Sequence, residues 1–167
     1  MSVLRLGVLT ACALALMPVI SVVQAGAAGS TVVLKFNDTH GVDTAVGFDE
    51  NSNAPPPVGA SQVIELVIKN AVPQFGKPAG TPVGHVLIDC TFLSVNAATG
   101  MADGVCSAIA HVPNGYFTFG GDGLFAGAHV DHWAVTGGVG PYANDRGQIA
   151  VINNKNGSSS AVVTLSS

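Results

Sequence analysis

Short runs of hydrophobic or alternating hydrophobic and polar residues follow one another along the chain after residue 30, with turn residues between them. Alternation with a period of two, bounded by Gly, Pro, Asn and Asp, is typical of β-strands. No helical period of useful length is present. We predict eight strands, at residues 31–36, 62–68, 85–93, 103–112, 116–119, 129–136, 146–152 and 161–165. This number and spacing indicate an all-β domain, either a sandwich or a barrel.

Two connections between these strands carry clear turn or loop residues. Residues 37–41 (Asn-Asp-Thr-His-Gly) predict a turn directly after the first strand. Residues 49–57 end in three consecutive prolines, which lack the N–H donors that a sheet interior needs. We therefore predict a surface loop there.

Two cysteines indicate how neighbouring strands pair. If Cys90 faces Cys106 in an antiparallel pair, then His85 faces His111, and period two assigns the side chains to two faces. The first face is a core face: Val86, Ile88, Cys90, Phe92, Ala108 and Ala110. The second face is either exposed to solvent or the wall of a polar pocket: His85, Leu87, Asp89, Thr91, Ser107, Ile109 and His111.

The amino-terminal segment has the layout of a signal peptide. Arg5 precedes an uncharged apolar stretch over residues 6–23, and Val23-Gln24-Ala25 places compact residues where a signal peptidase cuts. We assign residues 1–25 to a signal peptide and residues 30–167 to one β-barrel domain of a secreted or extracytoplasmic protein. Two alternatives are a retained membrane anchor, against which Pro18 argues, and a lipoprotein box ending at Cys12.

Export affects how the cysteines and charges are interpreted. An even pair of cysteines in an oxidising compartment predicts a Cys90–Cys106 disulfide, the alternative being two reduced thiols. Without Arg5 the chain has five basic residues against ten acidic ones, and charged residues are only 10% of it. This balance argues against nucleic acid or an anionic lipid surface as a partner, and no stable membrane insertion is expected after cleavage.

The segment from Thr136 to Gly147 is dense in glycine. A phosphate-binding loop would need a helix directly after it, whereas a strand is predicted there. The segment resembles the G-G-x-G-x-[FY]-x-x-A-R-G signature of dirigent proteins and the wider allene oxide cyclase-like barrel superfamily, with Asp145 in place of the usual alanine. The matching positions are Gly137, Gly138, Gly140, Tyr142, Arg146 and Gly147.

This resemblance, which extends over residues 31–152, implies a fold and a kind of chemistry. The fold is an eight-stranded antiparallel barrel around a largely apolar cavity. The family includes isomerising cyclases, proteins that steer the radical coupling of phenols, and bacterial cyclases. None of them needs a metal or organic cofactor in the barrel, so we expect none here. Their chemistry comes from a cavity that holds a flexible ligand in one reactive shape.

Three residues are candidates for ligand binding near one mouth of the barrel: Trp133, Tyr142 and Arg146. As the sole arginine after residue 25, Arg146 can bind a carboxylate or carbonyl. The competing interpretation is that it caps a turn by bonding to backbone carbonyls or to Asp145. Tyr142 fits a cavity mouth or turn packing equally well. Trp133 is expected in the core, which in this family can also be the ligand wall.

Histidines near Trp133 raise the question of a metal site. On a strand, His129, Asp131 and Trp133 share one face and His132 points the other way. These residues would need a ligand from another element before they could surround a zinc ion, and no recognised spacing is present. We therefore predict no metal site and expect solvated surface histidines.

The resulting functional hypothesis is a secreted barrel that binds a hydrophobic small molecule and cyclises, isomerises or stereochemically guides it without a cofactor. The alternatives are a non-enzymatic carrier of a hydrophobic ligand and a structural surface protein. No convincing acid–base pair is evident in the sequence, which leaves catalysis open. Assembly into a homo-oligomer is also left open.

Overall fold

Eight antiparallel strands close into a barrel in chain order, which confirms the eight-stranded antiparallel barrel that the family resemblance implied. The computed structural model describes residues 31–49, 51, 54–96, 98–99, 101–125, 128–154 and 158–167; the predicted signal peptide, residues 1–25, lies outside these residues. Each strand pairs with the next, and β8 pairs with β1. The strands are β1 (Thr31–Val46), β2 (Ser61–Asn70), β3 (Pro82–Asn96), β4 (Met101–Val112), β5 (Gly115–Phe125), β6 (His129–Val139), β7 (Arg146–Asn153) and β8 (Ser159–Ser166).

The register predicted from the cysteines is confirmed. Cys90 pairs with Cys106 and His85 with His111 across β3 and β4, and the two cysteines form a disulfide. The predicted core face lies inside the barrel. The opposite face is the outer surface, where Leu87 is 38% exposed.

The turn predicted at residues 37–41 is wrong, because β1 continues through it to Val46. The register against β2 shifts between His40 and Val42, which marks a β-bulge around Gly41. A Cβ atom on Gly41 would collide with the backbone of Glu65 on β2. The glycine therefore allows close strand approach at a bulge, and sequence reasoning mistook this signal for a chain reversal.

Glycines also lie in the middle of β5, which is longer than the predicted 116–119. It runs to Phe125 through Gly120 and Gly121. A Cβ atom on Gly121 would lie 2.7 Å from Cδ1 of Trp133 on β6. Gly121 therefore makes room for the indole inside the barrel, and neither glycine ends the strand.

A short 3-10 helix, Gly140–Tyr142, connects β6 to β7. It occupies the glycine-rich signature, and the strand that follows it agrees with the argument against a phosphate loop. Among the described residues, no helix is long and apolar enough to cross a membrane.

Candidate functional site

The barrel interior contains a partly open cavity of about 470 Å³. Its wall consists mainly of inward-facing side chains from alternate strand positions, as period two requires. Most of the wall is apolar, with residues such as Phe36, Leu66, Val86, Ile88, Phe117 and Ile149. The Cys90–Cys106 disulfide also forms part of it. A space of this size and character suits a small, largely apolar molecule.

Trp133 belongs to this wall, and its neighbours fix its orientation. Its ring stacks on Phe119 with centroids 5.6 Å apart, and Gly121 leaves space beside it. The indole Nε1–H donates to the backbone oxygen of Asp122 at 2.7 Å. Because its single donor is satisfied by the backbone, the indole presents an apolar surface to the cavity.

Polar side chains are concentrated where β1, β6, β7 and β8 border the cavity, and we call this group the polar mouth: Asp38, His129, Asp131, Asn153 and Ser159. Strand pairing brings these residues together. His129 lies opposite Asn153 across β6 and β7, and period two places Asp131 on the same face as His129. Asp38 receives the backbone N–H of Ser159 at 2.8 Å and also its hydroxyl.

Within the polar mouth, three side chains meet. The Nε2 atom of His129 lies 2.9 Å from Oδ2 of Asp131. The amide nitrogen of Asn153 lies 3.1 Å from the same Oδ2 and 3.1 Å from the His129 nitrogen. The His129 and Asp131 side chains are only 17% and 11% exposed. The expectation of a solvated surface histidine is thus wrong for His129, whereas His132 is exposed on the outer face.

The structure does not bring the three candidate ligand-binding residues together: Trp133 lies in the cavity wall, apart from Tyr142 and Arg146. Neither belongs to the cavity lining. Because β7 runs from Arg146 to Asn153, Arg146 begins the strand at the end away from the polar mouth. Its guanidinium is exposed and donates to the backbone oxygen of Asp145 at 2.8 Å, which agrees with the turn-capping interpretation.

Tyr142 packs in the hydrophobic core next to the cavity wall. Its ring meets that of Phe117 edge-on, with centroids 5.7 Å apart. Burial, and secondarily the charge of Asp145, raises the pKa of Tyr142 above its ordinary value. The phenol therefore stays neutral, and its ring supports Phe117.

The polar mouth contains residues that sequence reasoning missed: Asp38, Asn153 and Ser159. They come from distant parts of the chain and meet only because β8 pairs with both β1 and β7. The available signal was His129 and Asp131 two positions apart on one strand face. Across the described part of the chain, no group of three or more His, Cys, Asp or Glu side chains is placed to hold a metal ion.

Comparison with known proteins places this barrel in a recognised fold. No protein-family model matches the chain, and no curated protein matches it significantly. A solved structure of pyocyanin demethylase superposes with a TM-score of 0.62 at 19% identity, over 80% of this chain and 99% of that one. The exo-specific intermolecular Diels-Alderase AbnU gives 0.59 at 12% identity, over 83% and 98%.

A dirigent protein has the same architecture. The pterocarpan synthase dirigent protein GePTS1 superposes with a TM-score of 0.56 at 13% identity, over 82% of this chain and 83% of that one. The chain therefore has the barrel fold of dirigent proteins and Diels-Alderase cyclases. The fold resemblance first indicated by the glycine signature is confirmed.

Proposed function

We propose that this protein binds a hydrophobic small molecule inside its barrel and promotes cyclisation or isomerisation of that molecule without a cofactor. The observation that carries the proposal is the open, mostly apolar cavity with a localised group of polar side chains at its mouth. Small-molecule sites combine these two features, since apolar walls supply affinity and a few polar groups fix orientation.

The proposed chemistry is supported by what the structural neighbours do. One is a Diels-Alderase and another is a pterocarpan synthase dirigent protein. A cavity accelerates such reactions mainly by holding the ligand close to its reactive geometry, because the entropy of that arrangement is lost on binding. Trp133 and the neighbouring aromatic rings provide a shaped wall of this kind.

We also propose that the protein is exported and that residues 1–25 are removed. The uncharged stretch before Ala25 motivates this assignment. The Cys90–Cys106 disulfide supports it, since disulfides persist mainly in oxidising compartments. The amino-terminal sequence of protein recovered outside the cytoplasm tests the assignment, and an intact Met1 in a membrane fraction would refute it.

Binding is tested with N-phenylnaphthylamine, a neutral dye that becomes fluorescent in apolar sites. Two adjacent residues on β3 give a matched pair of variants. Ile88 lines the cavity, whereas Leu87 faces outward and is 38% exposed. We expect Ile88→Trp to fill the cavity and abolish the dye signal, while Leu87→Trp leaves it unchanged.

The outcomes distinguish the possible roles of the barrel. Equal dye binding by both variants would refute a site inside the barrel and favour a structural scaffold. Binding of the protein's own ligand with no turnover would support the carrier alternative.

A further inference from the structure

The most developed polar arrangement in the cavity is the contact of His129, Asp131 and Asn153. All three line the same cavity, and the His129–Asp131 pair is largely shielded from solvent. Carboxylate–imidazole pairs orient the ring and fix its tautomer, as they do in enzymes that transfer protons. The arrangement can therefore do more than orient a ligand.

The hydrogen-bond chemistry determines which ring nitrogen carries the proton. An ionised carboxylate only accepts hydrogen bonds, so the 2.9 Å contact with Asp131 is a hydrogen bond when Nε2 of His129 carries the proton; the Asn153 amide nitrogen 3.1 Å from Nε2 then donates to the carboxylate and not to the ring. In the neutral ring, the basic lone pair is then on Nδ1. This is the tautomer that a general base at the mouth would use.

Asn153 reinforces this arrangement. Its amide N–H donates to Oδ2 of Asp131 at 3.1 Å, so that one carboxylate oxygen receives both the imidazole and the amide. The two donors fix the carboxylate from two strands, β6 and β7. Since both partners lie on regular strands, the ring is held in place by the barrel and not by a loop.

Resting on the proposed function, we propose that His129 is a catalytic acid–base residue that moves a proton within the bound ligand, with Asp131 and Asn153 as positioning residues. The His129 imidazole removes a proton from a carbon adjacent to a ligand carbonyl, leaving an enolate. The same proton, returned to another carbon of the conjugated system, completes an isomerisation. One C–H bond breaks, another forms, and no oxidant or reductant is consumed.

The geometry also indicates the ligand class. Trp133 lies on the same face of β6 as His129 and Asp131, deeper in the cavity. An apolar ring packed against the indole can direct a carbonyl-bearing edge toward the mouth. The inferred substrate is therefore a mostly apolar cyclic or polyene ketone whose acidic C–H bond reaches His129.

The test uses β-tetralone, a small aromatic ketone whose acidic C–H protons exchange with deuterium in heavy water. Exchange is followed by proton NMR with and without the full-length mature protein. His129→Gln and His129→Ala are compared with His132→Ala, which removes the neighbouring exposed histidine on the outer face. We expect the protein-dependent exchange rate to fall by about 100-fold or more in the His129 variants, the usual size of a general-base contribution, and to be unchanged in His132→Ala.

A pH profile separates a positioning role from a merely structural one. The titratable side chains among the described lining residues are Asp38, His129 and Asp131, the cysteines being joined in a disulfide. Asp131→Asn removes the negative charge beside the imidazole, so the midpoint of the rate profile moves to lower pH. Asn153→Ala preserves that charge and leaves the midpoint nearly unchanged while lowering the rate.

A separate binding measurement distinguishes failure of the proposed role of His129 from failure of the proposed function. β-Tetralone binding is measured independently by its displacement of N-phenylnaphthylamine, with thermal unfolding as a check on each variant. If the ketone binds and exchange is equally fast in wild type and His129→Gln, or is absent from both, the inference is overturned. If neither ligand binds the wild-type cavity, the proposed function itself fails.

Discussion

At the residue scale, Tyr142 belongs to the glycine-rich signature but has a structural role outside the cavity lining. It is 7% exposed and packs against Phe117, whose ring forms part of the cavity wall. As the last residue of the short helix between β6 and β7, it packs into the core and is not part of the cavity lining. Trp133 combines both predicted roles, because a core residue in a hollow barrel is also a wall residue.

The raised pKa of Tyr142 predicts a pH dependence of stability. The folded protein keeps the phenol neutral above its ordinary pKa of 10.0, whereas the unfolded chain ionises there. The stabilising contribution is therefore complete below pH 10.0 and is lost as the pH rises toward the folded-state pKa. Urea denaturation of wild type and Tyr142→Phe at neutral and strongly alkaline pH measures it.

We expect the phenylalanine variant to lose less stability between the two pH values than wild type does. Tyr116→Phe, at the other tyrosine of the chain, is the matched control. Equal losses in wild type and Tyr142→Phe would contradict the assignment of the buried phenol as the responsible group.

At the element scale, the glycine-rich signature builds the connection between β6 and β7. A Cβ atom on Gly138 would lie 2.6 Å from the backbone oxygen and 2.7 Å from the Cβ of Tyr142. Gly140 has a φ of 70°, a conformation that L side chains rarely adopt. Both glycines are needed so that the chain can turn tightly over Tyr142, at the end of β7 away from the polar mouth.

Two adjacent glycines give a sharp test of this structural role. Gly138→Ala introduces the clashes just described and should cost about 1–3 kcal/mol of unfolding free energy, as overpacking does. Gly137→Ala meets only the Thr118 hydroxyl oxygen at 3.5 Å, an ordinary contact, and should change stability by less than about 0.5 kcal/mol. Chemical denaturation measures the unfolding free energy of both variants, and equal destabilisation would contradict the structural role of Gly138.

The elements also show what the sequence could reveal. The eight strands and the β3–β4 register were predictable, because period two and the cysteine pair are local signals. The bulge at Gly41 and the second half of β5 were not predictable. In each case a residue on a neighbouring strand approaches the glycine closely, Glu65 at Gly41 and Trp133 at Gly121. The polar mouth was missed for the same reason, since barrel closure and not sequence proximity joins Asp38 to Ser159.

At the scale of the whole molecule, the two ends of the barrel differ in the residues that form them. One end of the cavity is bordered by the polar mouth, with Asp38, His129, Asp131 and Asn153. Toward the other end of β7 lie the tight turn, Tyr142 and the exposed Arg146. We therefore expect ligand contacts at the first end, and Arg146 to affect ligand binding little.

The central claim is that the barrel interior holds an apolar small molecule. Native mass spectrometry of the protein purified from its own host tests it most directly, with Ile88→Trp produced in the same way as the cavity-filled control. We predict that wild type carries a non-covalent organic adduct, released on denaturation, and that the variant lacks it. Wild-type protein with no adduct, and no uptake when incubated with an organic extract of that host, would contradict the claim.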